Sequence, residues 1–486
     1  MLLIPVVITM KESMRQRRVR YLLCIGFIVA VLPLILFRDF TPSNELRYLS
    51  IADEALRNGK IFTFTCHGVP YADKPPLFLW IVMACRALTG GHHMWLLSLF
   101  SLIPALLIVK TFDEWTRDEM DSVSHNTAML MTLTSGLFFV SALTIRMDML
   151  MTLFIVLAFR EFWKMYSIDR DKPIALRQRL LFPLFIFLAV FTKGPLGILI
   201  PLLSTFVFVF FRTRPRKDNL RLFCRIWDWH TWLILVLLFS LWFGAVYLES
   251  GADYLKNLLF HQTFGRAVHS FHHSHPFYYY AIVIWYCLAP WSPLVVVLLV
   301  MALRRKVAKT DMQRYFLTIS MVTFILLSCI SGKLEIYLLP ALPFMVYAAA
   351  MVMPKFIKSL SRIYNITRGI SIGLLIIIFA GGCAVPWINA YIGYGRLCNE
   401  ALKTSTKSGI TEFRAWHLKS SDNMDAYMHR SVVVIPNDSI PTTSAEKPFI
   451  MLTKRKYLDH FKGMATQIVG DNAIVVCPKY RKNRSE

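Results

Sequence analysis

Residues 42–76 hold the densest run of polar and charged side chains in the first third of the chain. The run reads PSNELRYLSIADEALRNGKIFTFTCHGVPYADKPP and follows directly on a long apolar segment. Its NELRY sequence supplies two candidate catalytic groups, Asn44 and Glu45, and two cavity-lining groups, Arg47 and Tyr48. Polar groups beside a bilayer generally serve a site. Further along the same predicted helix, ordinary solvated charges are expected at Asp53, Glu54 and Arg57.

The YADKPP sequence at 71–76 places a tyrosine, a carboxylate and a lysine before two prolines. Lys74 is a point charge that suits a lipid phosphate, although an interfacial lysine also snorkels without any such function. Tyr71 is expected to line the same cavity, and Asp73 offers an oxygen ligand.

Three more polar groups interrupt apolar runs near their ends. Asp148 in IRMDML needs a partner at this depth, which makes it a catalytic candidate. Lys193 in TKGP and Lys333 in SGKLEIYLLP are predicted to line the cavity, with Tyr337 at the same level.

The segment 261–280 contains five histidines and one arginine, Arg266, which is a second candidate phosphate ligand. Histidine clusters favour a divalent metal such as zinc, magnesium or manganese, and Asp73 with His261 could contribute to such a site. The spacing is not that of a zinc-binding helix, so hydrated interfacial histidines are the alternative. No organic cofactor is expected.

The elements that position these groups are membrane helices. The 486 residues are 56% hydrophobic and only 17% charged, against about a quarter in soluble proteins. Apolar runs of roughly 20 residues recur, as in polytopic membrane proteins. The net charge of +24 comes from short basic loops, and no nucleic-acid motif accompanies it. Nucleic acid is therefore excluded as a partner.

Topology depends on whether the short apolar run 76–89 crosses the membrane. If it lies along the interface, every strongly basic loop falls on the cytoplasmic side, as the positive-inside rule requires. The sequence then predicts an all-α polytopic protein of about eleven spans, with the N-terminus inside and the C-terminus outside. The predicted spans are 20–37, 94–110, 126–143, 149–166, 181–192, 195–211, 231–248, 277–302, 315–331, 336–353 and 369–389.

This topology brings all the candidate groups to the outer face. Residues 1–392 are predicted to form a transmembrane domain with outer-face loops 38–93 and 249–276. Residues 393–486 have ordinary polarity and predict a small α/β domain outside the membrane, with strands at 431–436, 447–452 and 472–478. Several cations at a lipid–water boundary suit a lipid-linked phosphate substrate.

The ordered motifs NELRY, YADKPPLFLW, RMD, TKGPLG, HPFYYY, LAPWSPL and KLEIYLLPALP resemble bacterial polyprenyl-phosphate-dependent glycosyltransferases of the GT-C fold. The lipid A aminoarabinose transferase is most alike, and the protein O-mannosyltransferases are more distant. The resemblance covers roughly residues 20–390. It implies a sugar donor on a polyprenyl phosphate, a bacterial inner membrane and a periplasmic active site.

Carried over by position, the resemblance implies donor-phosphate contacts for Lys74 and Arg266 with Tyr337 nearby. It implies a zinc site at Asp73 and His261, where aspartate replaces the family's usual glutamate. The family's first loop usually reads Asp-Glu-x-Arg-Tyr, and Asn44 replaces that first aspartate. An amide cannot accept the proton. Either Glu45 takes over, or the acceptor is already an anion, or the activity differs.

The resulting prediction is a membrane glycosyltransferase that inverts the sugar and uses lipid A, another glycolipid, a polysaccharide or a protein as acceptor. One alternative is a lipid flippase or transporter, for which repeats and mid-membrane polar groups are typical. Another is an oligosaccharide ligase with a pyrophosphate-linked donor.

Overall fold

The computed structural model describes residues 3–169, 171–211, 216–260, 275–439 and 447–478, with side chains from residue 18 onward except at 216. The chain forms two compact units. The larger unit comprises Met1–Leu32, Ala72–Phe78 and Ser98–Phe379. The smaller unit comprises Pro33–Tyr71, Leu79–Leu97 and Ala380–Glu486.

Helices dominate the described chain up to residue 408. In chain order they are α1 (Leu3–Phe37), α2 (Glu45–Asn58), α3 (Pro76–Thr89), α4 (Met94–Thr116), α5 (Ser122–Thr134), α6 (Gly136–Leu143), α7 (Asp148–Tyr166), α8 (Leu176–Lys193), α9 (Leu196–Phe210), α10 (Arg216–Ile226), α11 (Trp229–Lys256), α12 (Tyr279–Cys287), α13 (Ser292–Arg304), α14 (Asp311–Cys329), α15 (Leu342–Val352), α16 (Leu360–Ile392) and α17 (Gly395–Ser408).

Several of these helices match membrane spans in length and apolarity, as the sequence predicts. In the described residues, five helices are long and apolar enough to cross a bilayer, or six if the bent pair α5–α6 counts as one span. The five are Arg18–Phe37, Met94–Thr116, Trp229–Phe260, Asp311–Cys329 and Leu360–Ile392. The protein is therefore a multi-pass membrane protein, and the figure of eleven spans stays a prediction.

Helix α3 has 14 residues, which at 1.5 Å per residue gives a rod of about 21 Å. The hydrocarbon core of a bilayer is about 30 Å thick. The length of α3 therefore agrees with the interfacial placement that the topology prediction requires.

Two predicted continuous spans are broken. Run 126–143 becomes α5 and α6, which meet at Ser135 with a bend of 57°. Run 277–302 becomes α12 and α13, separated by residues 288–291 with a cis bond before Pro290. A proline lacks the N–H that a helix needs, and Pro293 at the start of α13 fits the first helical turn.

An aromatic core holds the larger unit together. Phe112 of α4 contacts Phe316 of α14 and Phe344 and Tyr347 of α15, with ring centroids 4.6–5.6 Å apart. Trp115 extends the cluster, with its ring centroid 4.9 Å from that of Phe316. Edge-to-face and tilted ring pairs of this kind add to the burial of apolar area.

The smaller unit combines the first predicted outer loop with the end of the chain. Helix α2 buries Leu46, Leu49 and Ala52 and ends at Gly59, which adopts the left-handed conformation with φ +66°. A two-strand hairpin follows it, β1 (Thr65–Cys66) and β2 (Val69–Pro70).

A five-stranded mixed sheet occupies the C-terminal part. Its strands are β3 (Phe413–Trp416), β4 (Val432–Ile435), β5 (Phe449–Lys454), β6 (Ala465–Val469) and β7 (Asn472–Cys477), in the order β4-β3-β5-β7-β6. Strand β3 pairs parallel with β4 and β5, and β7 pairs antiparallel with β5 and β6. A short helix α18 (Asp425–Met428) precedes β4. All nine cysteines lie in the described chain and are free.

Candidate functional site

In the larger unit, two cations converge on one buried carboxylate. The Arg146 Nε donates to Asp148 Oδ2 at 3.0 Å, and the Lys193 Nζ donates to Oδ1. The side chains of Asp148 and Lys193 are 2% and 8% exposed. Arg146 is less buried than its two partners, with 27% of its side chain exposed.

The local sequence explains how α7 and α8 place this cluster. Asp148 is the first residue of α7, and Lys193 is the last residue of α8. Gly194 ends α8 with φ +117°, a conformation that favours glycine. Gly197 lies against α8, since a Cβ there would be 2.5 Å from the carbonyl carbon of Ala189. Ser101 donates to the Thr144 carbonyl at 2.6 Å and fixes the turn before Arg146.

The segment 330–338 carries two further predicted residues. Tyr337 lies in a 3₁₀ turn, Glu335–Leu338, and its ring centroid is 4.4 Å from the Lys193 ammonium, a cation–π contact. Lys333 is buried and donates to the carbonyls of His275 and Ile330 at 3.0 and 2.5 Å. Asp148, Lys193 and Tyr337 therefore form one site. Lys333 instead donates its hydrogen bonds to backbone carbonyls.

Asp73 and Lys74 are half-buried on the Ala72–Phe78 stretch of the larger unit. Arg266 and His261 lie outside the described residues, as do His269, His272 and His273.

Among the described residues, no group of three or more histidine, cysteine, aspartate or glutamate side chains has the arrangement of a metal site. Of the predicted zinc pair, Asp73 is described and His261 lies outside the described residues. A metal ion at this place therefore stays a prediction.

In the smaller unit, Glu45 is held by a bidentate ion pair. Arg38 donates from Nη1 to Oε2 and from Nη2 to Oε1, both at 2.7 Å. The Thr41 N–H and hydroxyl donate to Oε2 at 2.8 and 3.0 Å. Glu45 is only 1% exposed. Because its carboxylate already accepts four hydrogen bonds, the geometry favours a positioning role for Glu45 over that of a free base.

A polar cavity of about 510 Å³ is lined by two of the predicted site residues, Arg47 and Tyr71, together with part of the C-terminal sequence. Asn44 is hydrogen-bonded to the lining residue Arg47, whose Nη2 is 3.4 Å from the Asn44 Oδ1. Tyr48 of α2 is buried and does not line the cavity. The lining residues are Ser43, Arg47, Cys66, Tyr71, Ser420, Ser421, Asp422, Asn423 and Val434.

His67 joins the β1–β2 hairpin to the segment that follows β3. Its Nε2 is 3.2 Å from Asn423 Oδ1 and 3.4 Å from Asp422 Oδ2, and its Nδ1 is 3.8 Å from Asp425 Oδ2. The hydrogen bonds that His67 donates to Cys66 and Asn423, together with the charge of Asp425, outweigh burial and raise the pKa of His67 to about 9. The imidazole is therefore a cation at neutral pH.

The expectation of solvated charges on α2 is wrong for Asp53 and Glu54 and correct for Arg57. Asp53 pairs with Arg86 at 3.1 Å and His92 at 3.0 Å. Burial raises the pKa of this carboxyl, but His92 and Arg86 outweigh that effect and hold the pKa below its usual range. Glu54 accepts from the backbone N–H groups of His67 and Gly68 at 2.7 and 3.0 Å. Asp53 therefore joins α2 to residues 86–92, and Glu54 joins α2 to the turn of the β1–β2 hairpin.

Sequence reasoning did not single out Arg38 or the 420–423 loop. Arg38 had a signal, because a basic residue at the outer end of a first span departs from the positive-inside rule. The loop residues Ser420 to Asn423 had none, since serine and asparagine are ordinary in loops.

Comparisons with known proteins agree with this fold. The family model for dolichyl-phosphate-mannose-protein mannosyltransferases matches residues 18–251. An uncharacterized protein of Aquifex aeolicus is 26% identical over 67% of this chain and 61% of its own length. The undecaprenyl phosphate-alpha-4-amino-4-deoxy-L-arabinose arabinosyl transferase of Shewanella sediminis is 25% identical over 72% of this chain and 61% of its own. The chain thus spans about three fifths of these curated relatives.

Solved structures extend the similarity to nearly the whole chain. ArnT from Cupriavidus metallidurans, bound to undecaprenyl phosphate, superposes with a TM-score of 0.70 at 14% identity, over 93% of this chain and 96% of ArnT. Archaeal oligosaccharyltransferase AglB from Archaeoglobus fulgidus, in complex with an inhibitory peptide and a dolichol-phosphate, superposes with a TM-score of 0.51 at 12% identity, over 89% of this chain and 69% of AglB. The chain therefore has the GT-C fold of polyprenyl-phosphate-dependent glycosyltransferases, and the resemblance inferred from its motifs is confirmed.

Proposed function

We propose that the protein is an inverting membrane glycosyltransferase that takes a sugar from a polyprenyl-phosphate donor at the periplasmic face of a bacterial inner membrane. The observation that carries this proposal is the cluster in which Arg146 and Lys193 both bind Asp148, with Tyr337 over the Lys193 ammonium. The relatives named for transfer from undecaprenyl phosphate support the same donor class.

In the proposed step, an acceptor oxygen forms a bond to the anomeric carbon of the sugar, and a hydroxyl acceptor gives up its proton to the departing phosphate. The bond between that carbon and the phosphate oxygen breaks, and its electron pair leaves with the polyprenyl phosphate. Cations fixed near the leaving oxygen stabilise the charge that develops there. Lys74 and Arg266 are the proposed phosphate contacts, and Tyr337 orients Lys193 through the ring contact.

Asp148 is proposed to hold this arrangement in place. Its two oxygens are bound by Arg146 and Lys193, so it keeps two cations close despite their mutual repulsion. Arg47, Tyr48 and Tyr71 are proposed for the acceptor side, which the NELRY resemblance implies.

The proposal also includes the membrane topology and the division of the chain into domains. We propose eleven spans with the N-terminus inside, a transmembrane domain over residues 1–392 and a periplasmic α/β domain over 393–486. The five-stranded sheet and its helix α17 support an extramembrane character for the last part. The acceptor is a glycolipid such as lipid A, a polysaccharide or a protein.

The donor class is tested with the purified chain in lipid vesicles. Labelled sugars linked to polyprenyl monophosphate and to polyprenyl pyrophosphate are supplied separately, and acceptor labelling and donor translocation are both measured. The proposal expects transfer from the monophosphate donor alone. Transfer from the pyrophosphate donor would instead indicate an oligosaccharide ligase, and translocation without transfer would indicate a flippase.

A further inference from the structure

The exposed side of helix α10 combines basic and apolar side chains. In the described part of this helix, the exposed residues lie at positions i, i+3, i+4 and i+7, which places them on one side. They are Lys217, Leu220, Arg221 and Cys224, and we call them the basic face. Leu220 lies between the two cations and is 53% exposed. Cations beside an exposed apolar side chain are typical of a helix that lies in the membrane–water interface.

The opposite side of α10 fixes the direction of the basic face. Leu222 and Ile226 are buried, and the ring centroid of Phe223 is 5.4 Å from that of Phe206 on α9. Arg225 donates to two backbone carbonyls of the loop between α7 and α8. The helix is therefore held along its length, and its outer side needs no rearrangement to meet a ligand.

Both cations of the basic face lack a carboxylate partner in the described chain. No ion pair or hydrogen bond of a described residue involves Lys217 or Arg221. Residues 212–225 include six lysines and arginines and one acidic residue, Asp218. Asp218 is half-buried and lies about 100° around the helix from Lys217. An ammonium and a guanidinium one helical turn apart can both donate to the oxygens of a phosphate group.

Aromatic side chains at the two ends of α10 indicate its depth. Phe211, at the end of α9, is 78% exposed, and Trp229, at the start of α11, is 66% exposed. Trp229 also begins the candidate membrane span Trp229–Phe260. Tryptophan is enriched where a span meets the headgroups. The basic face therefore lies at the level of lipid headgroups, where exposed cations meet phosphates as well as water.

We propose that the basic face of α10 binds anionic phospholipids. Lys217 and Arg221 donate to the headgroup phosphates, and Leu220 enters the boundary between headgroups and acyl chains. Clusters of basic residues on a surface helix attract anionic lipids in this way. The assignment does not rest on the proposed function, since it concerns a surface apart from Asp148 and Lys193.

The preference for anionic lipid is measured by native mass spectrometry of the full-length protein in detergent. The delipidated protein is titrated with phosphatidylglycerol or with phosphatidylcholine of the same acyl chains. Wild type is expected to bind phosphatidylglycerol more tightly. The double variant Lys217→Gln/Arg221→Gln is expected to lose about fivefold or more of that preference, since each basic residue near an anionic headgroup contributes favourably.

The matched control removes the same charge from another exposed basic loop. Lys358 and Arg362 are exposed in the predicted cytoplasmic segment 355–368. Lys358→Gln/Arg362→Gln should keep the wild-type preference, because the proposed binding depends on one helix face and not on total charge. Both double variants should keep the thermal unfolding temperature of wild type, since all four side chains are exposed.

Cys224 locates the bound lipid, because it is free and lies on the basic face. Its alkylation by iodoacetamide is followed by peptide mass spectrometry. Phosphatidylglycerol should slow this alkylation more than phosphatidylcholine does in wild type, and equally little in Lys217→Gln/Arg221→Gln.

Three results would overturn the proposal. They are equal binding of the two lipids by wild type, equal losses in the two double variants, and alkylation of Cys224 that phosphatidylglycerol does not slow. Polyglutamate serves as a further probe. If it binds wild type but not Lys217→Gln/Arg221→Gln, while phosphatidylglycerol shows no preference, the basic face fits an acidic protein segment and the lipid assignment is rejected.

Discussion

At the scale of single residues, Glu45 is predicted from its motif as a catalytic base, but its carboxylate is already hydrogen-bonded within the structure. The sequence singles out its carboxylate beside Asn44 as a base. The structure surrounds both oxygens with donors from Arg38 and Thr41. No sequence pattern reveals this pairing, because it depends on how the chain turns between α1 and α2.

Glu45→Gln is expected to destabilise the fold by about 2 kcal/mol, as for other hydrogen bonds to charged groups. The physical reason is that an amide cannot accept both guanidinium N–H groups. Thermal unfolding in detergent measures the change. Arg57→Gln on the exposed side of α2 is the matched control and should change stability by less than about 0.5 kcal/mol. A catalytic base is indicated instead if Glu45→Gln abolishes transfer while keeping wild-type stability.

The raised pKa of His67 predicts that the stability of the fold depends on pH in the neutral to alkaline range. Its pKa is about 9 in the folded protein, above the usual value of about 6.5. A raised pKa means that the protonated form stabilises the fold; this contribution is complete below about pH 6.5 and is lost as the pH rises through about 9.

We therefore expect hydrogen exchange in the 65–70 hairpin to accelerate between these pH values, beyond the intrinsic increase of exchange with pH. His67→Gln should remove that extra acceleration, because glutamine does not titrate. An identical pH profile in the variant would show that His67 does not control the hairpin.

At the scale of elements, the TKGPLG sequence determines where Lys193 lies. Gly194 reverses the chain, and Gly197 lets α9 approach α8. The sequence predicts that the helix breaks at this Gly-Pro pair, but it does not predict the close approach. That contact depends on a neighbouring helix, which single-sequence patterns do not report.

Gly197→Ala is expected to destabilise the protein by about 1–3 kcal/mol, as other overpacked sites do. The added methyl would lie 2.5 Å from backbone atoms of Ala189 and Val190. Gly244→Ala is the matched control, since nothing lies within 4 Å of a Cβ there. Thermal unfolding of both variants checks this. Equal stability of the two would contradict the packing of α8 and α9.

Sequence patterns predict some of the strands and miss others. Three predicted strands appear as β4, β5 and β7, because apolar runs bounded by turn residues mark them. Strands β3 and β6 were not predicted, since FRAW and ATQIV lack a continuous apolar run. Hydropathy likewise missed the break at Pro290, because both flanking helices are apolar.

At the scale of the whole molecule, motif order predicted the fold that the comparisons confirm. The composition predicted a membrane protein, and the positive-inside rule predicted the side of the membrane on which each loop lies. The pairing of the first outer loop with the C-terminal sequence could not be predicted, because it joins residues such as Ser50 and Asp425, whose side chains are 2.9 Å apart. Such long-range contacts leave no local pattern.

The predicted topology is tested by cysteine labelling in a cysteine-free variant. Val69 is exposed in the first predicted outer loop, and Lys306 is exposed in a predicted cytoplasmic loop. A membrane-impermeant thiol reagent should label Val69→Cys in intact spheroplasts, and Lys306→Cys only after the membrane is opened. The opposite pattern would invert the topology, and labelling of both in intact cells would place α3 across the bilayer.

The central claim is that cations at the outer face hold the phosphate of a polyprenyl-linked sugar. The most direct measurement is sugar transfer by Lys74→Ala and Arg266→Ala in membranes supplied with a labelled polyprenyl-phosphate sugar. Lys403→Ala on α17, where the lysine pairs with Glu400 at the surface, is the matched control. We expect each site variant to lose at least about 100-fold in rate, as when a charge-stabilising donor is removed. Wild-type rates in both site variants would contradict the account.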